Sequence, residues 1–150
     1  MIIRITKEFC FEMAHLLSNY DGLCRNLHGH SYKLMVTVKG DILQDETSPK
    51  HGMVMDFSVL KGIVKSEIVD KLDHATLVYD KAPQVEALKT VAERVYAVPY
   101  EPTCENMVGR FAALISEKLP KNITLVGVRL YETATSYAEW LAEDNNTLDR

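Results

Sequence analysis

Two stretches of alternating side chains limit what this chain can fold into. In residues 30 to 39, HSYKLMVTVK, Tyr32, Leu34, Val36 and Val38 face one way while Lys33, Thr37 and Lys39 face the other. In residues 2 to 15, Ile3, Ile5, Phe9, Phe11 and Met13 share one parity that only Lys7 breaks. Alternation of this kind specifies half-buried strands. His15 continues the parity of the first strand, and His28 and His30 share the apolar parity of the second. Side chains at i and i+2 of a strand point the same way, so two strands carry three histidines toward one side.

Beyond the acidic loop DILQDETSPKHG the period changes. Phe57, Leu60, Val64, Ile68 and Leu72 form one helical stripe after Asp56, a suitable N-cap. A second helix follows PYEPT, with Thr103 as its cap and Met107, Val108, Phe111, Ala112, Ile115 and Leu119 on its apolar face. Residues 122 to 132 and 135 to 142 read as a closing pair of strands, and residues 75 to 101 leave room for a short helix (PQVEALKTVAERV) and a short strand (VYAV). The order strand, strand, helix, helix, strand, strand predicts an α+β domain over 1-150 with an antiparallel sheet. Its open edges call for partners, as in an oligomer formed through the sheet.

Charge and composition exclude several classes. With 17 basic against 21 acidic residues the net charge is −4, which argues against a general nucleic-acid surface. No stretch reaches the ~20 apolar residues of a membrane span. The first residues, interrupted by Arg4, Lys7, Glu8 and Glu12, lack the apolar core of a signal peptide. Three cysteines without a CxxC make no disulfide framework. The expectation is a cytoplasmic protein.

The chemistry-bearing residues cluster in short motifs. Three histidines with an open fourth position suit a catalytic Zn²⁺. In CRNLHGH, residues 24 to 30, Cys24 is a reactive thiol favoured as thiolate by a nearby cation and Arg25, a fourth metal ligand, or an inert thiol. Cys10, inside a strand, reads as a small buried hydrophobe, and Cys104, at a helix start, is ambiguous. Asp73 and His74, in LDH, pair an acid with a base for proton transfer, or close a helix end. Glu132 shares the parity of Val126, Val128 and Leu130. A carboxylate on an apolar face needs a partner, such as a ligand with a guanidine-like edge; the alternative is a solvated strand end. Glu105 suits the first turn of a helix.

Together FCFEMAH, CRNLHGH, GMVMDF, LDH, EPTCEN and YET resemble the 6-pyruvoyl-tetrahydropterin synthase family, and within it the bacterial 6-carboxy-tetrahydropterin synthase branch. The resemblance implies a T-fold: a four-stranded antiparallel sheet with two helices on one face, oligomerising into a barrel. Trimers would stack into a hexamer with sites at subunit boundaries. It implies His15, His28 and His30 as ligands of one Zn²⁺ per chain, and Cys24, Asp73 and His74 as the proton-transfer set. Glu132 would be the pterin anchor, with Thr103, Cys104 and Glu105 in the pocket. The implied reaction converts the pterin triphosphate 7,8-dihydroneopterin triphosphate to 6-carboxy-tetrahydropterin, acetaldehyde and triphosphate, as in queuosine biosynthesis. The same site could instead form 6-pyruvoyl-tetrahydropterin, or bind a pterin without turnover. Met13 and Cys104 stand where the family usually carries smaller residues.

Overall fold

The alternating stretches form the central ribbon of the fold. In the computed structural model, which describes residues 1–145, β1 (Ile2–His15) and β2 (His28–Asp41) pair antiparallel from Ile2 opposite Asp41 to His15 opposite His28. This register sets Phe9 against Leu34, Phe11 against Tyr32 and Met13 against His30, so inward side chains meet inward partners. Phe11 stacks on Tyr32 at 5.2 Å between ring centroids and meets Phe111 edge-on at 6.5 Å. Cys10 departs from expectation and is exposed, because its parity is opposite to that of Phe9 and Phe11 and places it on the polar face.

β5 (Thr124–Thr133) joins β2 and β6 (Ser136–Leu141) joins β5, both antiparallel, as the closing pair of strands predicts. Among the described residues the sheet nevertheless has six strands rather than four. β3 (Ala75–Tyr79) runs parallel to β1, and β4 (Val95–Val98) parallel to β3, giving the order β4-β3-β1-β2-β5-β6. Parallel neighbours need a crossover, and α3 (Val85–Val91) lies between β3 and β4 in the chain. Its Val85 and Leu88 pack with Leu16, Val78 and Ala82 in a small second core.

The helices that cover the main sheet start at side-chain caps. Asp56 accepts the Ser58 amide N–H at 2.8 Å and opens α1 (Phe57–Val64), which continues through a π-helical stretch (Lys65–Val69) into α2 (Asp70–Leu72). Thr103 accepts the Asn106 amide N–H at 3.2 Å and opens α4 (Cys104–Lys118). Leu60, Val64 and Ile68 from one helix and Met107, Phe111 and Ile115 from the other join the strand residues in one core. Phe57, expected on the apolar stripe, is 49% exposed, because as the first residue after the cap it lies at the end of the covered face. The π-helical turn widens the buried stripe so that Val69 follows Ile68 into the core. The short α5 (Ala142–Asn145) ends the described chain.

Thr103 both caps α4 and leads into the motif EPTCEN. Thr103→Ala removes one partner of the orphan amides at the helix start and is expected to lower stability by about 1 kcal/mol. Equilibrium urea unfolding should show a lower midpoint with unchanged slope; an unmoved midpoint would contradict the cap assignment.

Candidate active site

His15 ends β1 while His28 and His30 open β2, and the register holds them together as the sequence parity predicts. One ligand-capable nitrogen from each of the three lies within 4.8 Å of the others. His15 is 1% exposed, the other two partly buried. The His15 Nδ1–H donates to the Pro102 carbonyl at 2.8 Å, and the His28 Nδ1–H to the Asn26 carbonyl at 2.7 Å. A carbonyl can only accept, so each ring carries its proton on Nδ1 and presents a lone pair on Nε2. Those two Nε2 atoms face each other at 3.1 Å, and two lone pairs at that separation repel unless a cation lies against both.

The third member points to the same conclusion. His30 Nε2 is buried without a hydrogen-bond partner among the described residues, with the Glu132 carboxylate 3.8 Å away. Burial, opposed by smaller contributions, holds both His15 and His30 below the ordinary imidazole value, favouring neutral rings. Neutral imidazoles oriented through their second nitrogen by carbonyls are the donor set that Zn²⁺ takes. The residues present fit that ion.

Cys24 lies outside the histidine cluster among the described residues. It sits on a single 3₁₀ turn (Leu23–Arg25), half-buried, in the loop joining β1 to β2. The Leu17 amide N–H donates to the Cys24 carbonyl at 3.0 Å, and the Asn26 amide side chain donates to the Leu23 carbonyl at 2.9 Å. The turn that presents the thiol thus leads directly into the carbonyl that orients His28.

Asp73 and His74 come together but stand apart from the histidine cluster. The Asp73 carboxylate accepts the Glu12 amide N–H at 2.9 Å and lies 3.0 Å from His74 Nδ1. The Glu12 hydrogen bond leads in holding this carboxyl below its usual value. His74 has a positive φ of 61°, a conformation uncommon outside glycine. Its backbone N–H donates to the Glu12 carbonyl at 2.6 Å, while its imidazole side chain is 75% exposed. It lines an open cleft of ≈ 380 Å³ together with Met13, Gly29 and His30.

The pocket candidates occupy distinct places. Glu132 sits where the β5–β6 register shifts between Tyr131 and Thr133, and such bulges re-aim side chains; here the carboxylate lies beside His30. Cys104 is buried, and its thiol donates to the Leu130 carbonyl at 3.1 Å, tying the start of α4 to β5. Burial pushes this thiol up to about 11, so it stays protonated. Glu105 is exposed in the first turn of α4.

Four residues escape the functional reading of the sequence. Pro102 and Asn26 act through backbone carbonyls that no side-chain pattern announces. Tyr32 shares the parity of His28 and His30, which is the signal that could have found it. Its ring stands 5.6 Å from that of His30, and its hydroxyl is buried without a partner among the described residues. Glu101 belongs to the EPTCEN motif but carries no assignment there.

The sequence profile of the 6-pyruvoyl tetrahydropterin synthase family matches residues 4–143, and this chain belongs to that family. A 6-carboxy-5,6,7,8-tetrahydropterin synthase of Haemophilus influenzae is 40% identical over 146 residues, covering 93% of this chain and 99% of that protein. The Aquifex aeolicus protein of the same name is 35% identical over 130 residues, covering 80% of this chain and 76% of its own. The 6-pyruvoyl tetrahydropterin synthase structure from Caenorhabditis elegans superposes with a TM-score of 0.64 at 26% identity, covering 94% of this chain and 96% of that one. The chain thus has the family's T-fold, with two parallel strands where four antiparallel strands alone were expected.

Proposed function

We propose that this protein is a zinc-dependent 6-carboxy-tetrahydropterin synthase acting on 7,8-dihydroneopterin triphosphate and serving queuosine-type deazapurine synthesis. The observation that carries the reading is the convergence of three histidine nitrogens, two of them turned inward by carbonyls, beside a carboxylate on the same sheet face. The similarity to 6-carboxy-tetrahydropterin synthases over most of the chain favours side-chain cleavage over 6-pyruvoyl formation.

His15, His28 and His30 would hold the Zn²⁺, which supplies Lewis acidity toward the hydroxyls of the substrate side chain. Cys24 removes a proton from the neighbouring carbon, and the Asp73–His74 pair exchanges protons as the side chain is cleaved. Glu132 accepts from the 2-amino group and N3–H of the pterin and fixes the ring. The exposed His74 in the open cleft suits a site completed at a subunit boundary, within a hexamer of stacked trimers. The open outer strands β4 and β6 leave edges for such pairing.

Incubating the zinc-loaded protein with dihydroneopterin triphosphate and identifying products by mass tests this directly. Acetaldehyde with 6-carboxy-tetrahydropterin is expected. A 6-pyruvoyl product without acetaldehyde would move the protein to the sister activity, and no turnover would leave a pterin-binding module.

The anchor has its own test. Glu132→Gln keeps the shape but replaces an acceptor oxygen with an amino group facing a donor edge. A charge-assisted contact contributes ~1.5–3 kcal/mol, so pterin affinity should fall roughly ten- to hundredfold by titration calorimetry. Equal affinity in the variant would reject Glu132 as the anchor.

A further inference from the structure

Glu101 bridges the two ends of the site. Its Oε2 accepts the Ser18 amide N–H at 3.2 Å, and its Oε1 accepts the Ser18 hydroxyl. Glu101 is itself fixed to the start of α4, since its backbone carbonyl accepts the Thr103 amide N–H at 2.8 Å and the Asn106 side-chain amide at 3.0 Å. Pro102, the next residue, supplies the carbonyl that orients His15. Ser18 belongs to the loop between His15 and His28, and its neighbour Leu17 donates its amide N–H to the Cys24 carbonyl at 3.0 Å. A chain of hydrogen bonds therefore runs from the start of α4 through the Glu101 carboxylate and the Ser18 backbone to the main chain of Cys24.

We infer that Glu101 is a positioning residue for Cys24: it holds the thiol-bearing loop on the same segment, 101–103, that orients the metal ligand His15. The thiol and the histidine cluster are then placed relative to one another by one short stretch of chain. The kinetic consequence rests on the proposed role of Cys24 in proton transfer; the mechanical tether does not. Removing the tether leaves His15 and His28 with their own orienting carbonyls and His30 in its place on β2, so the metal site survives while the thiol drifts. A shift of about 1 Å in a reacting group costs on the order of 10²-fold in rate.

The test compares Glu101→Ala, Glu101→Gln and Ser18→Ala for zinc content, kcat, KM and the alkylation rate of Cys24 read by peptide mass. Glu101→Ala is expected to keep its zinc and its KM, to lose about 10²-fold in kcat, and to alkylate faster at Cys24. Glu101→Gln should restore most of the rate, since its amide oxygen accepts the Ser18 amide N–H and its amino group donates to the Ser18 hydroxyl. Ser18→Ala, which retains one of the two bonds, should show a smaller loss in the same direction; it decides the matter if Glu101→Ala does not fold. Wild-type kcat and alkylation in a folded tether variant would overturn the inference, as would a Gln variant no better than Ala. If Cys24→Ala itself turns over normally, the role of the thiol fails, and the alkylation rates still decide whether Glu101 holds the loop.

Discussion

Cys24→Ala is expected to keep its zinc and its melting temperature while turnover falls by about 10²–10⁴, the usual worth of a positioned acid–base group. The structure supports this outcome over the ligand alternative. The metal-capable cluster among the described residues consists of the three histidines alone. His15 and His28 are oriented by the carbonyls of Pro102 and Asn26, so neither depends on the thiol. The Cys24 side chain is also absent from the main core, so its truncation leaves no cavity there. Asp73 and His74 variants should lose rate as well, but not additively with Cys24, because groups acting as a unit do not add. A closed structural site would behave differently, since loss of a ligand would remove folding free energy. Zinc analysis, thermal unfolding and turnover on one variant separate the two, and joint loss of zinc and fold would overturn the assignment.

His28→Ala and His30→Ala are expected to lose most of the roughly one Zn²⁺ per chain. Removing an outer partner of a ligand typically costs 10–100-fold in affinity, and removing a ligand itself should exceed that. These two positions are cleaner than His15, whose side chain is fully buried and would leave a cavity. His30 is the sharper case. Its Nε2 has no hydrogen bond to lose among the described residues, so a fall in metal content does not come from a broken hydrogen bond at that nitrogen. Full stoichiometry by elemental analysis in both variants would refute the histidine site.

The ribbon and the histidines were legible because both depend on parity alone. Alternation over 14 residues in β1 and again in β2 fixes which side chains face inward, and His15, His28 and His30 simply follow that rule. β4 was legible as the short strand VYAV, whereas β3 was not legible, because five residues are too short to show a period. In β3, moreover, Ala75, Leu77 and Val78 are all buried, which erases alternation. The exposure of Cys10 was readable from its parity; a general preference of cysteine for the interior hid it. The groups that orient His15 and His28 were invisible for a different reason. Main-chain carbonyls carry no residue-type signature, and their placement depends on where the loop 16–27 and the approach to α4 come to rest.

That reliance on main-chain oxygen has an evolutionary consequence. Any amino acid at position 26 or 102 brings the same carbonyl, so the orientation of His15 and His28 tolerates changes of residue type there far better than changes of chain path. An inserted or deleted residue between His15 and His28 would displace the Asn26 oxygen and the Cys24 turn together. The spacing of this loop, more than its letters, is where drift in this lineage should be least free.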